Sequence, residues 1–417
     1  MAGWIYRAVT LLAAALLWIP FRLHPRGKIR LADRYGWWKL GAVRVWWFHG
    51  ASAGEVLGLL PVIERVRQAL PDVQILLTAT SPTGLERAPE GVEFRRLLTF
   101  DHPIFLERAL RGVTVERVIT AETELWPELA LFLKRRGVPL YLVNARLSER
   151  TVKWYRLLSG LVRQIDSAVQ KVLIADEASV ERFRSIGFSA KNLTVTGNAK
   201  YDATPRFEPS LERASVRQEL GWSGGAIVVL GSLRPGEEVF WFPAINRMLK
   251  RGTDLKFVVA PRHREKFEFF AGALEREGIE FQRRSQRQQR ASQVPVMTPQ
   301  VLLLDTFGEL ERFYAAADLA SIGATLVPIG GHNPLEPAMY GVPVVLGPHV
   351  AVIAEIAHQL WETNGAWHVE SVAEIEAILD HLIAAPGAIR AAGEKALEVY
   401  KRQRGATDRI VAALLTR

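Results

Sequence analysis

The chain has no cysteine among its 417 residues, so disulfides and thiolate-held metals are excluded. That composition suits a reducing compartment. Other signatures are missing as well: there is no P-loop lysine pattern, no G-x-S-x-G elbow and no H-E-x-x-H motif. The nine histidines are scattered, which argues against a protein-held metal. Trp46, Trp47 and Phe48 read as part of a strand rather than as a stacking platform among basic residues. Nucleic acid is therefore not an expected partner.

Acidic residues are scarce near the start. Arg22, Arg26, Lys28, Arg30, Arg34 and Lys39 face a single acid, Asp33. Before them, Ala8–Phe21 runs for 14 residues without a charge, short of the roughly 20 that a spanning helix needs. A cleavable signal would need small residues where Trp18-Ile19-Pro20-Phe21 stand. Residues 1–23 are thus expected to form a retained membrane anchor, its basic flank on the anionic, cytoplasmic lipid side. Spanning and lying in the interface both stay open. The formal net charge of +9 predicts attraction to anionic partners.

Beyond the basic flank the chain alternates regularly. Strand-like runs at Val43–Phe48, Val73–Thr80, Val115–Thr120, Pro139–Val143, Val172–Ala175 and Leu193–Thr196 are separated by helix-like ones, among them Ala53–Leu70, Pro82–Arg87 and Pro127–Arg136. Continuous apolar strands between helices predict a parallel sheet covered on both faces. Residues 202–214, with two prolines and scattered charge, read as a linker. The rhythm restarts with strands at Ala226–Gly231, Leu255–Ala260, Val301–Asp305, Leu319–Ile322 and Val342–Leu346. The fold class is therefore α/β: two Rossmann-like, doubly wound domains (24–201 and 215–395) facing a cleft, behind an apolar anchor helix. Residues 396–417 form a last helix that could cross back to the first domain. Arg283–Arg290 reads as a solvated basic loop.

Open α/β sheets bind ligands outside the carboxyl ends of their strands. Glu55 follows one such end, in HGASAGE, and Ser52 with Glu55 also fits a capping box. Thr306 and Glu309 have the same spacing, and Asn333, Pro334 and Glu336 fit the N-cap, N1 and N3 positions of a helix. Capping accounts for each junction structurally. Glycine-led helix N-termini also offer free N–H groups to an anion, and Gly330 and Gly331 allow close approach of a ligand. Pro261-Arg262-His263 ends a strand with basic side chains that suit a phosphate, while surface charge explains them equally well. Glu122 and Lys200 fall near the strand ends, and solvated charge is the plain alternative for both.

Together these segments are specific. The chain resembles the 3-deoxy-D-manno-oct-2-ulosonic acid (Kdo) transferases, lipid A glycosyltransferases of Gram-negative bacteria. The resemblance rests on RLADRYG (Arg30–Gly36), HGASAGE, TATSPTG (Thr78–Gly84), ETELWPEL (Glu122–Leu129), NARLSER (Asn144–Arg150), GNAKYD, GEE (Gly236–Glu238), PRH, DTFGEL, VPIGGHNPLEPA (Val327–Ala338) and GVPVVLGPH (Gly341–His349). It implies a GT-B glycosyltransferase fold and inverting transfer of Kdo from CMP-Kdo to a tetra-acyl lipid A precursor. It places the enzyme at the cytoplasmic face of the inner membrane, on its anionic lipid surface. By resemblance Glu55 is the general base, Glu122 and Lys200 stabilise the transition state, and no metal or other cofactor is needed. CMP is assigned to Pro261, Arg262, Phe307, Gly308, Glu309, Asn333, Pro334, Leu335 and Glu336. The chain departs from the family pattern at Phe307, usually methionine, at Gly231–Arg234, usually containing Ser-Thr-His, and at Val350–Ile353, usually Asn-Phe. The residues alone leave two rival readings: a GT-B enzyme using another sugar nucleotide, such as a UDP-sugar, and a non-catalytic, membrane-associated anion-binding protein.

Overall fold

The structure is a computed structural model that describes residues 2–25, 27–86, 88, 91–202, 204–289 and 299–416. Arg26, Arg87, Ala203 and Arg290, each part of a segment interpreted from the sequence, lie outside the described residues. The chain divides into two compact units, Met1–Ala203 with Gln403–Arg417, and Thr204–Arg402.

In unit 1, β1 (Arg44–His49), β2 (Gln74–Ala79), β3 (Phe94–Leu97), β4 (Thr114–Ala121), β5 (Leu140–Ala145), β6 (Val169–Ile174) and β7 (Leu193–Val195) form one sheet. Its order is β3-β2-β1-β4-β5-β6-β7, with every pair parallel. Alternation along β1 shows why both faces are covered. Val45 and Trp47 pack into one apolar cluster, Trp46 and Phe48 into the one on the opposite face. The helix Ala53–Ala69 buries Val56, Leu59, Val62, Ile63 and Val66, an i, i+3, i+4 stripe that seats it on the second cluster. Helix Ala406–Leu415 adds Ile410, Val411 and Leu414 to the same cluster, so the chain's last helix belongs to this unit.

Unit 2 repeats the plan with β8 (Ile227–Leu233), β9 (Lys256–Pro261), β10 (Phe281–Arg283), β11 (Val301–Leu303), β12 (Leu319–Ile322), β13 (Val344–Leu346) and β14 (Ala366–His368). The order is β10-β11-β9-β8-β12-β13-β14, again all parallel. In each sheet the winding reverses at one point, between β1 and β4 and between β8 and β12. Such reversals open a crevice at the strands' carboxyl ends.

Three expectations from the sequence are corrected by the fold. Residues 202–214 are not all linker: Pro209–Leu220 is a helix, begun by Pro209 at its first turn under the Glu208 cap and ended by Gly221 at φ 65°. The short edge strands β3, β10 and β14 carry Arg95, Arg96, Arg283 and His368, and their charge hides the apolar pattern that marks a strand. Arg283–Arg290 is not a solvated loop: Arg283 closes β10, a helix runs over Arg284–Gln289, and Arg284 is buried.

The N-terminal helix spans Ala2–Leu23, and its Trp4–Leu23 portion is long and apolar enough to cross a membrane. It outruns the charge-free 14 residues because its polar side chains find partners in unit 1. Tyr6 donates to Asp101 at 2.8 Å, and Arg7 pairs with the buried Glu128 at 2.9 Å. Tyr35 donates to the Ala14 carbonyl at 2.6 Å.

Candidate functional site

The reversal point of unit 1 gathers three carboxylates. The apolar β1 ends at His49, the chain turns through Gly50 and Ala51, and Ser52 caps the helix that carries Glu55. The Glu55 carboxylate accepts the Ala51 N–H at 2.7 Å and the Ser52 hydroxyl at 3.0 Å. Its amide bond is thus to Ala51 rather than to the cap's own N–H, as a strict capping box would have it. Glu55 is half-buried. Burial raises its pKa first, the neighbouring Glu124 and Glu122 charges add to the rise, and the Ala51 and Ser52 bonds oppose it.

Glu122 follows β4 with φ 53°, a left-handed backbone that a glutamate adopts at a cost of about 1 kcal/mol or more. Its carboxylate pairs with Lys200 Nζ at 2.6 Å. Lys200 is held in turn by the motif residues around it. Asn198 accepts the Lys200 N–H at 3.0 Å, and Asn144, itself at φ 52°, accepts the Ala199 N–H at 2.8 Å and donates to the Gly58 carbonyl. Gly58 leaves room for the lysine stem. The structure therefore brings Glu55, Glu122 and Lys200 to one crevice. It adds two residues that carry no role in the sequence reading: Glu124, and the fully buried His49, whose Nε2 lies 3.8 Å from the Glu124 carboxylate while Nδ1 meets Thr78. Both stand inside the HGASAGE and ETELWPEL motifs, and only their side-chain directions single them out.

Beside this crevice a recess of about 590 Å³ lies between the N-terminal helix and the Glu149–Asp166 segment. Ile5, Val9, Trp126, Leu158 and Leu161 line it. Trp126 belongs to the same ETELWPEL loop as Glu122.

In unit 2 the side chains at the strand ends are mainly cationic. Arg262 follows β9, is exposed, and makes no ion pair among the described residues. Arg234 follows β8 and contacts His263 Nε2 through its guanidinium. The imidazole of His332 is pushed down to about 4, by burial first and then by Arg262, Arg234 and His263. It is therefore neutral at pH 7. Glu336 is solvent-accessible, and the protein packed around it raises its carboxyl to about 7, against the opposing Arg262 charge. Tyr314 sits under this group; a Cβ on Gly231 would overlap its hydroxyl, so β8 requires glycine there. Phe307 stands 57% exposed between Arg264 and Phe267, an aromatic face open to a ring-shaped ligand.

At the two junctions around the assigned nucleotide residues, the local structure differs from the capping and ligand-approach roles expected from spacing. The Leu335–Ala338 helix is a single turn with Pro334 at its N-cap, so Pro334 is not at N1. Asn333 still accepts the Leu335 N–H at 3.1 Å. The amides of Gly330, Gly331 and His332 are not free for an anion: they bond the Ala324 and Gly323 carbonyls. A Cβ on Gly330 or Gly331 would strike Val352 or Ile353, so these glycines serve chain packing rather than ligand approach. Thr306 does not cap the next helix, which begins after Glu309 at Leu310. Its hydroxyl bonds the Glu309 carboxylate, which Arg284 also holds at 2.7 Å. Gly308 takes φ 87° in that turn. Pro261, Pro334 and Leu335 are buried, which leaves their backbone as the part nearest a ligand. No group of three or more metal-ligating side chains occurs among the described residues.

A family model described as 3-deoxy-D-manno-octulosonic-acid transferase (kdotransferase) matches residues 29–203. A 3-deoxy-D-manno-octulosonic acid transferase of Haemophilus influenzae is 32% identical over 397 residues, covering 94% of this chain and 92% of the relative. One from Bordetella pertussis is 28% identical, covering 88% and 86%. Among solved structures, the UDP-GlcNAc 2-epimerase of Neisseria meningitidis bound to UDP-GlcNAc superposes with a TM-score of 0.61 over 90% of this chain and all of that one, at 14% identity. That likeness concerns the two-domain fold alone.

Proposed function

The chain belongs to the Kdo transferase family and is a glycosyltransferase of lipopolysaccharide synthesis; from that premise we propose that it inverts configuration, with Glu55 as base, in moving Kdo from CMP-Kdo to a tetra-acyl disaccharide lipid A precursor. The observation that carries the mechanism is the Glu55 carboxylate, accepting one amide and one hydroxyl yet raised in pKa by burial and by two neighbouring acids. A base must be basic enough to take a hydroxyl proton and must retain a free lone pair, and this environment serves both needs. Glu55 takes the proton of the acceptor hydroxyl as its oxygen bonds to the anomeric carbon. The bond from that carbon to the phosphate oxygen breaks, and CMP leaves with the electron pair. Glu122 and Lys200 stabilise the transition state, and the free guanidinium of Arg262 offsets charge on the departing phosphate. Phe307 stacks on the cytosine.

The apolar recess beside Trp126 and the docked N-terminal helix support a lipid acceptor and work at the membrane surface. The basic residues after the helix favour the cytoplasmic, anionic face of the inner membrane. The test is transfer from CMP-Kdo to the lipid precursor, read by mass spectrometry, for the wild type and Glu55→Gln. Transfer by the wild type, lost in the variant while CMP still binds, is the expected result. Equal transfer by both refutes Glu55 as the base, and stabilisation by UDP but not CMP refutes the donor.

A further inference from the structure

The donor in this reading carries two anions on one carbon: the phosphate that leaves, and the carboxylate of a sugar acid. The guanidiniums of Arg262 and Arg234 follow different strands of unit 2, and strand order separates them. The ends of β11, β9 and β8 are adjacent in the sheet, at about 4.8 Å per strand. They deliver, in that order, the Phe307 loop, Arg262 and Arg234. A nucleotide stacked on Phe307 and running across these ends meets Arg262 first and Arg234 next.

We propose that Arg234, with His332 beside it, binds the sugar carboxylate of the donor and so selects a sugar acid over a neutral sugar. The claim rests on CMP-Kdo being the donor. Its support is the local construction. Glu237 is buried, and its carboxylate accepts only main-chain N–H groups among its described bonds: those of Arg234, Ala324, Thr325 and Leu326. One side chain thereby ties the end of β8 to the loop after β12, across the sheet's reversal point. Ser232 turns through φ 59° just before Arg234. The arginine is thus fixed at its backbone, yet it has no carboxylate partner among the described residues, and its buried Nε has no hydrogen-bond acceptor. The buried Nε2 of His332 is also unpartnered. The orphaned Nε–H of Arg234 calls for an acceptor, and the Nε2 of His332, a donor in one tautomer of the neutral ring, can serve a second oxygen of the same group. A planar carboxylate fits the fork of a guanidinium better than a single-point acceptor does.

The test separates sugar from nucleotide. CMP affinity is measured by calorimetry, and KM for CMP-Kdo by initial rates, for the wild type, Arg234→Gln and Arg234→Lys. The expected result for Arg234→Gln is a KM raised about tenfold to a hundredfold, since charged hydrogen bonds carry that much discrimination, with CMP affinity within about twofold of wild type. Arg234→Lys recovers part of the loss. Retained CMP binding shows that the variants are folded. An equal fall in CMP affinity makes Arg234 a phosphate ligand and overturns the proposal, as does an unchanged KM. If the wild type itself neither binds CMP nor turns over CMP-Kdo, the donor reading fails first and takes this one with it.

Discussion

Gly58 and Lys200 are packed so closely that a Cβ on the glycine would stand 2.6 Å from the lysine's Cε. Alanine is ordinarily better than glycine inside a helix by about 0.8–1 kcal/mol. At this position the gain conflicts with the lysine stem, which must move and carry Nζ away from Glu122. Gly58→Ala is expected to lower kcat tenfold or more while the thermal midpoint changes little. Wild-type turnover in this variant removes Lys200 from the reacting centre.

The acid limb of the pH profile reports on Glu55. A base works deprotonated, and this carboxyl is raised above its ordinary value by burial, by Glu124 and by Glu122. Turnover should therefore begin to fall at a higher pH than a solvated glutamate dictates. Glu124→Gln removes one like charge, so the limb should move to lower pH. Glu55→Gln should reduce kcat by roughly two to four orders of magnitude on the plateau above the limb, the range a positioned base provides, and the deficit should narrow below it. A limb that stays put in Glu124→Gln shows that the two acids do not interact in the working enzyme.

Phe307 is 57% exposed and contributes little to the core, so replacing it isolates its contact with a ligand. Stacking of a base on an aromatic ring contributes about 1–3 kcal/mol. Phe307→Ala should weaken CMP binding by about tenfold or more in calorimetry and leave the melting temperature unchanged. Equal affinity in the two proteins means that the nucleobase lies elsewhere.

Much of this was legible in the sequence, and the reasons differ by residue. The central strands were visible because burial on both faces leaves continuous apolar runs such as Val45–Phe48. Glu55 and Lys200 were visible through their motifs, and Arg262 through its place after a strand. Hydrogen-bond direction was not visible. Spacing suggested helix caps at Thr306–Glu309 and Asn333–Glu336, but only the folded chain shows that Glu309 turns to Arg284 and that Glu336 stays solvent-accessible. Sequence likewise cannot tell a glycine kept for a ligand from one kept for a neighbour, which is why Gly330 and Gly331 were misread. Arg234 stands out in the sequence only as a departure from the family pattern and His332 only as part of a motif, because a lone basic residue in a loop resembles solvated charge until its neighbours are known.

Arg284 makes the last point testable. It lies in a tract of arginine, serine and glutamine that looks like solvent-exposed loop, yet it is buried between Glu219 and Glu309. Burial tends to raise the Glu309 carboxyl, but the hydrogen bonds from Arg284 and Thr306 outweigh that and hold it below its ordinary value. A carboxyl depressed in this way contributes stability above its unfolded pKa, and the contribution is lost as the pH falls through the folded one. Arg284→Met removes the Arg284 guanidinium from Glu309 and Glu219, while Glu219 keeps Arg312. Removing one partner of a buried pair costs about 3–5 kcal/mol, and the partial exposure of both glutamates puts this case near the lower end. The melting temperature at pH 7 should fall by about 6–10 °C for a unit of this size. The difference between variant and wild type should shrink as the pH is lowered through and below the ordinary glutamate range, because acid protonates Glu309 and removes in the wild type what the substitution has already removed. A difference that stays constant across that range means that Arg284 stabilises unit 2 through its guanidinium over the Phe313 ring instead of through its pairing with Glu309.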